Sequence, residues 1–206
     1  TIDARQAKPV SVTVPNPEAS PYIVEVSLTG PFFTIGTGSS SFDGLYSLRV
    51  GPADEAINSY VSASFAKTNA EGLPVDSPFS YSTFHLTEGG LRPASRARSG
   101  SASWARSSPR TASRRPRRTR GQGAYPWHPD VPGAFFTLGN YSTLPFTRTE
   151  YYNADHGVEW VPVFAESTRA GEETLFMEYG TKTAYRPGRT VREQWNRAVF
   201  GPAFPD

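Results

Sequence analysis

Val10-Ser11-Val12-Thr13-Val14 and Val24-Glu25-Val26-Ser27-Leu28 decide the fold class. In each run apolar residues alternate with polar ones, so an extended chain shows one apolar and one wet face. Between them, Pro15-Asn16-Pro17-Glu18-Ala19-Ser20-Pro21 carries three prolines, which fix φ and withhold ladder donors. The pattern predicts a loop joining two adjacent strands. Runs of the same style cover Phe32 to Ile35, Leu45 to Val50, Tyr60 to Phe65 and Phe79 to Leu86, with Gly36-Thr37-Gly38-Ser39-Ser40 reading as a flexible turn. They resume at Ala134 to Leu138, Phe146 to Tyr151, Val158 to Phe164, Leu175 to Tyr179 and Thr190 to Asn196. Leu175 to Tyr179 alone also fits a helix, held to about two turns by Gly171 and Gly180. Short strands at regular spacing predict an all-β, antiparallel, β-sandwich-like fold of one or two small units. The absence of a fixed 20 to 50-residue period speaks against a solenoid or propeller.

Composition agrees. Nineteen prolines, eighteen glycines, thirteen Phe, ten Tyr and four Trp in 206 residues favour strands and turns over helices. Cysteine is absent, which excludes disulfides, thiolate zinc sites, iron–sulfur clusters and cysteine nucleophiles. No apolar run approaches the roughly 18 residues of a membrane span, so a soluble chain without a membrane partner is expected. The opening Thr1-Ile2-Asp3-Ala4-Arg5 has no signal-peptide pattern and reads as the start of an internal or processed fragment.

The net charge of +2 hides two unlike parts. Ten arginines lie between Arg92 and Arg120 with no acidic residue among them, and the rest of the chain carries a formal −8. The basic character therefore belongs to one segment and gives no support to a nucleic-acid partner for the whole domain. From Arg92 to Gly123, 28 of 32 residues are Arg, Ser, Ala, Pro or Gly, and Trp104 is the single large hydrophobe. Such a stretch buries too little apolar surface to offset its chain entropy. The expected organisation is a β unit over 1–90, a disordered segment over 91–128 and a second β unit over 129–206. Three readings compete for the segment: a solvated linker, a polyanion-binding tail, and an artefact of GC-rich DNA translated out of frame.

Candidate chemistry is sparse. His85 lies in a strand pattern, His128 in the loop Pro126-Trp127-His128-Pro129, and His156 beside Asp155 in turn-forming sequence. Adjacent residues rarely face each other as catalytic partners do, so turn chemistry accounts better for Asp155-His156. The sequence contains no Gly-x-Ser-x-Gly elbow, phosphate-binding loop or metal-ligand spacing, and no cofactor is expected. Asp54-Glu55 and Glu172-Glu173 read as solvated loop carboxylates. Among aromatics that could stack on a sugar, Tyr22, Tyr46, Tyr60, Trp127 and Trp160, the two tryptophans are the candidates for ligand stacking, against core filling as the default.

The close, Tyr185-Arg186-Pro187-Gly188-Arg189-Thr190-Val191-Arg192-Glu193-Gln194-Trp195-Asn196-Arg197-Ala198-Val199-Phe200-Gly201-Pro202, resembles the C-terminal end of secreted bacterial subtilisin-like serine peptidases. Asp3-Ala4-Arg5 with Lys8-Pro9-Val10-Ser11-Val12-Thr13-Val14-Pro15, together with Glu150-Tyr151-Tyr152-Asn153 and Val158-Glu159-Trp160, resembles the distal β-region of that family. The family's Asp-Ser/Thr-Gly, His-Gly-Thr-His and Gly-Thr-Ser-Met-Ala signatures do not occur, so no catalytic residue carries over. The resemblance implies a non-catalytic β region of an extracellular peptidase, inactive alone, with an upstream catalytic domain as its partner. The alternative is an extracellular carbohydrate- or protein-binding β-sandwich module.

Overall fold

The computed structural model describes residues 3–90, 96–98, 104–107, 110–111, 119–131, 140–155, 157–168 and 173–195. The regular elements among them are strands, apart from a 3-10 turn over Ala4–Gln6 capped by Asp3. The chain is all-β, as its alternation predicts.

The first strands are β1 (Lys8–Pro9), β2 (Ser11–Thr13), β3 (Ser20–Gly30), β4 (Phe33–Ser39), β5 (Tyr46–Ser47), β6 (Asn58–Ala66) and β7 (Phe79–Thr87). Within the arginine-rich stretch come β8 (Arg96–Arg98), β9 (Trp104–Ser107), β10 (Arg110–Thr111) and β11 (Thr119–Trp127). The chain continues through β12 (Asn140–Thr143), β13 (Phe146–Thr147), β14 (Thr149–Asn153), β15 (Glu159–Ser167), β16 (Thr174–Tyr179), β17 (Thr190–Val191) and β18 (Gln194–Trp195).

A seven-stranded sheet, ordered β17-β9-β14-β7-β6-β3-β4, faces a four-stranded antiparallel sheet, β12-β11-β15-β16. Smaller ladders join β1 to β5, β2 to β8, and β10 to both β13 and β18. The larger sheet is antiparallel from β7 to β4, but β14 runs parallel to β7, with Thr149 opposite Phe79 and Tyr152 opposite Ser82. One sheet thus contains strands from both sides of the arginine-rich stretch.

Alternation along these strands feeds two cores. Val61, Ala63 and Phe65 of β6, Phe79 and Tyr81 of β7, Val24 and Trp104 meet Val10 and Val12 on one face. On the other, Tyr60, Phe84, Ala105 and Tyr152 meet Trp160 of the smaller sheet, with Val131, Val158 and Tyr185. Asn153, at the end of β14, is fully buried. Its Oδ1 accepts the Phe84 amide at 2.9 Å and its Nδ2 donates to the Phe84 carbonyl at 2.8 Å. Its own carbonyl accepts the indole N–H of Trp160 at 2.8 Å. One residue thereby extends the β14–β7 ladder by its side chain and ties that sheet to the opposing tryptophan.

Several local expectations are corrected. Val10–Val14 and Val24–Leu28 are not paired strands: β2 runs parallel to β8 while β3 lies between β4 and β6. The valines meet across a core instead. Gly36-Thr37-Gly38-Ser39 belongs to β4 rather than to a turn. Gly36 is needed there because a Cβ would sit 1.9 Å from the Ser27 hydroxyl. Leu175–Tyr179 is strand, since its ladder to β15 outweighs local helical spacing. Leu45–Val50 is strand only at Tyr46–Ser47, and the run expected over Thr190 to Asn196 is strand at Thr190–Val191 and Gln194–Trp195, with Asn196 outside the described residues. Ala134–Leu138 lies outside the described residues.

The expected disorder over 91–128 does not hold at β9 or β11. β9 pairs with β14, and β11 pairs along its whole length with β15. Trp104 finds its partners elsewhere in the chain: it meets Tyr81 edge-on at 4.9 Å, while Tyr81 stacks on Tyr151 at 4.5 Å. β8 and β10 are paired as well, with β2 and with β13 and β18, and His128 is buried; the other residues of the segment lie outside the described ones.

Trp104→Ala should destabilise the protein by about 3–5 kcal/mol, read as a shifted urea midpoint at unchanged m-value. Asn153→Ala leaves both main-chain groups of Phe84 without these partners and should cost about 2 kcal/mol or more. A variant with wild-type stability in either assay would show that the residue does not hold the sheets as described.

Candidate functional site

Two-residue alternation places Arg148, Glu150 and Tyr152 on one face of the chain entering and forming β14, and the sandwich closes over them. All three are buried. Arg148 donates from Nε and Nη2 to Glu150 Oε1 at 2.7 and 2.5 Å, and the Tyr152 hydroxyl donates to Glu150 Oε2 at 2.6 Å. Tyr185 stacks on Tyr152 with ring centroids 4.8 Å apart and donates its hydroxyl to Glu193 Oε1 at 2.8 Å. On β11, buried Arg120 lays its guanidinium over the Phe146 ring at 5.1 Å. Its register sets it opposite Glu166 on one side and Ser142 on the other. The neighbouring Gln122 is fully buried with no hydrogen-bond partner for its amide.

Burial lowers the pKa of Arg120 to about 9, aided by the like charge of Arg148 and opposed by Glu150. It therefore stays protonated at neutral pH. Burial raises both phenols: Tyr152 lies well above its usual value, with Glu150 adding to the effect, and Tyr185 is raised further by Glu193. Arg120, Gln122, Arg148, Glu150, Tyr152 and Tyr185 are charged or polar yet buried, and Glu193 at the margin of the array is half-buried. Their chemistry is internal: carboxylates accept from phenols and a guanidinium, and the ring pair spaces the two acids apart. A substrate has no approach to Glu150, which is 1 % exposed.

The candidates read from sequence lie elsewhere. Trp160 is 1 % exposed and its indole N–H is engaged, so it presents no face for ligand stacking. The two tryptophans are not brought together on a surface. Trp127 lies at the end of β11, 36 % exposed, with the Lys182 ammonium 3.4 Å from its ring centroid. The same ammonium bridges to Glu159 at 3.1 Å. Tyr60 is buried, Tyr22 half-buried and Tyr46 exposed. His85 is half-buried on β7 opposite Val61. His128, expected on an exposed loop, is buried at 9 % exposure against Phe84, and its Nδ1 accepts the Asp130 amide at 3.2 Å. That is turn capping. His156 and Glu172 lie outside the described residues. Asp54 accepts the Ala56 amide at 3.0 Å, the bond of a local turn.

Open cavities among the described residues include the following pair. One, about 340 Å³, lies between β16 and β18 and is lined by Glu178, Glu193, Trp195 and the Gly180 turn. The other, about 500 Å³, is lined by Glu55, Asn58, Glu88, Gly89 and Asp130. Carboxylates dominate the charge of both, which disfavours a polyanion at either place. Among the described residues no group of three His, Asp or Glu side chains could hold a metal ion.

The buried array escaped the sequence reading, although its signal was present: Arg148, Glu150 and Tyr152 alternate across a strand whose opposite face includes Tyr151. No family model, curated protein or solved structure matches the chain.

The two phenols fix the sign of the alkaline response. Above pH 10, their ordinary value, the unfolded chain releases both protons while the folded chain keeps them, so stability falls as pH rises. Arg120, whose folded value lies below its ordinary one, acts in the opposite sense from about pH 9 upward. Two phenols outweigh one guanidinium, giving a net slope of about one proton, ~1.4 kcal/mol per pH unit. Urea titrations across this window should show that fall, and Tyr152→Phe should level it while lowering stability at neutral pH. A wild-type profile that is flat or rising above pH 10 would contradict the arrangement.

Proposed function

We propose that this chain is the non-catalytic β region of a secreted subtilisin-like serine peptidase, and that its role is structural, supporting or positioning substrate for a catalytic domain carried upstream. The observation that carries the reading is the location of the closing motif. Tyr185 and Trp195, two aromatics of that motif, are built into the interior: Tyr185 stacks on Tyr152 and donates to the half-buried Glu193, and Trp195 stacks on Phe164 at 6.1 Å. A terminal motif whose aromatics lock two sheets together suits a region that must be rigid rather than reactive.

The competing reading, a carbohydrate-binding sandwich, rests on exposed aromatic faces. With Trp160 in the core, Trp127 is the tryptophan left to it, and that ring already carries the Lys182 ammonium. Stacking on a sugar would require this cation–π contact to be given up.

The coding DNA and a serine-directed label test the proposal together. The reading frame should extend upstream through Asp, His and Ser triad signatures. A fluorophosphonate probe should label the longer protein on that upstream serine and leave the 206-residue chain unmodified. Deleting the β region should reduce the yield or thermal midpoint of the longer protein. Label on a serine of this chain, or an upstream frame without a triad, overturns the proposal.

A further inference from the structure

The edges of a β-sheet carry unpaired main-chain donors and acceptors, and proteins that remain single blunt them with charges, prolines, bulges or covering loops. Among the described strands, the edges here are treated unequally. The outer side of β12 is covered: Tyr141 donates to the Pro74 carbonyl at 3.2 Å, the Asp76 amide donates to the Tyr141 carbonyl at 2.8 Å, and Asp76 Oδ1 accepts the Thr143 amide at 2.7 Å. The edge strand β16 contains Glu178, and β17 is two residues long.

β4 has none of these protections. It is a seven-residue edge strand paired on one side with β3. From Gly30 to Phe42 the sequence holds no ionisable side chain. The two-residue loop Pro31-Phe32 closes on the pair Gly30 and Phe33. Ladder alternation then turns the main-chain N–H and C=O of Thr34, Gly36 and Gly38 outward. Apolar side chains crowd the same strand: Phe32 at the loop is 98 % exposed, and Ile35 is 65 % exposed.

We propose that β4 pairs antiparallel with β4 of a second copy, making one continuous sheet through both molecules. Charge selects this occupant. Two-fold pairing doubles every charge of the strand within one short interface, and β4 has no charge to repel. The same pairing along β16 would bring two copies of Glu178 onto one short interface. The outward groups also fix the register. Centred on Gly36 opposite its own copy, the pairing sets Thr34 against Gly38 and Phe33 against Ser39, uses all seven residues, and places Ile35 diagonal to its mate. Gly36 has no room for a side chain on the β3 side, and its bareness lets the second backbone approach.

Sedimentation equilibrium over rising concentration should show the mass moving from 22.5 kDa toward twice that value. Ile35→Lys, which introduces two like charges diagonal to each other on one face of the joint, and Gly38→Pro, which deletes an outward donor at a site where a Cβ meets nothing closer than 3.8 Å, should both remain single copies at every concentration. Their urea midpoints should match wild type measured below the association range. Hydrogen exchange should show the Thr34, Gly36 and Gly38 amides gaining protection with concentration in the wild type and staying open in Ile35→Lys. A wild type that stays at one copy throughout, a dimer that survives both substitutions, or a mass that climbs past two copies each overturns the proposal.

Discussion

The central junction between the N-terminal strands and the C-terminal ones is Asn153. Its carboxamide satisfies both main-chain groups of Phe84, and its carbonyl holds the Trp160 indole in the opposing sheet. The site is fully buried, so the groups it engages have no water to fall back on. Two cores depend on that junction. Tyr151, just before it, stacks on Tyr81 beside the first; Tyr152 belongs to the second.

The interior beside this junction is costly in isolation and tolerable only as a whole. Buried ion pairs lose hydration that their mutual attraction barely restores, and removal of one partner leaves a charge stranded. Glu150 illustrates this: one oxygen takes both bonds from Arg148 and the other takes the Tyr152 phenol, so three side chains must be in place together. Such an array favours a single arrangement of the two sheets over slipped alternatives, because a shift of one residue would turn Arg148, Glu150 and Tyr152 out to the opposite face. That specificity accords with a structural role.

The strands were legible in the sequence because period-two alternation is local, and β3, β6, β7 and β15 lie where it points. Pairing was not legible. Nothing near Val10 announces that β2 will run beside Arg96–Arg98, and nothing near Trp104 reveals that its ring partners come from Tyr81 and Tyr151. The arginine-rich stretch was misread at β9 and β11 for the same reason: composition measures what a segment can bury alone, while Arg120 and Gln122 are buried by neighbours far along the chain. Of the two tryptophans singled out for ligand stacking, Trp127 is 36 % exposed. Trp160 is in the core, and an exposed and a buried tryptophan look alike until the opposing sheet is known.

The parallel pairing of β14 with β7 also sets a schedule for synthesis. When β7 leaves the ribosome its partner is still some sixty codons away, which at about 5–20 residues per second leaves an aromatic-rich strand waiting several seconds. During that interval Phe79, Tyr81 and Phe84 have only β6 beside them in the growing sheet. Until Thr149–Asn153 is made, the side of β7 that it will occupy is an open strand edge in the nascent chain.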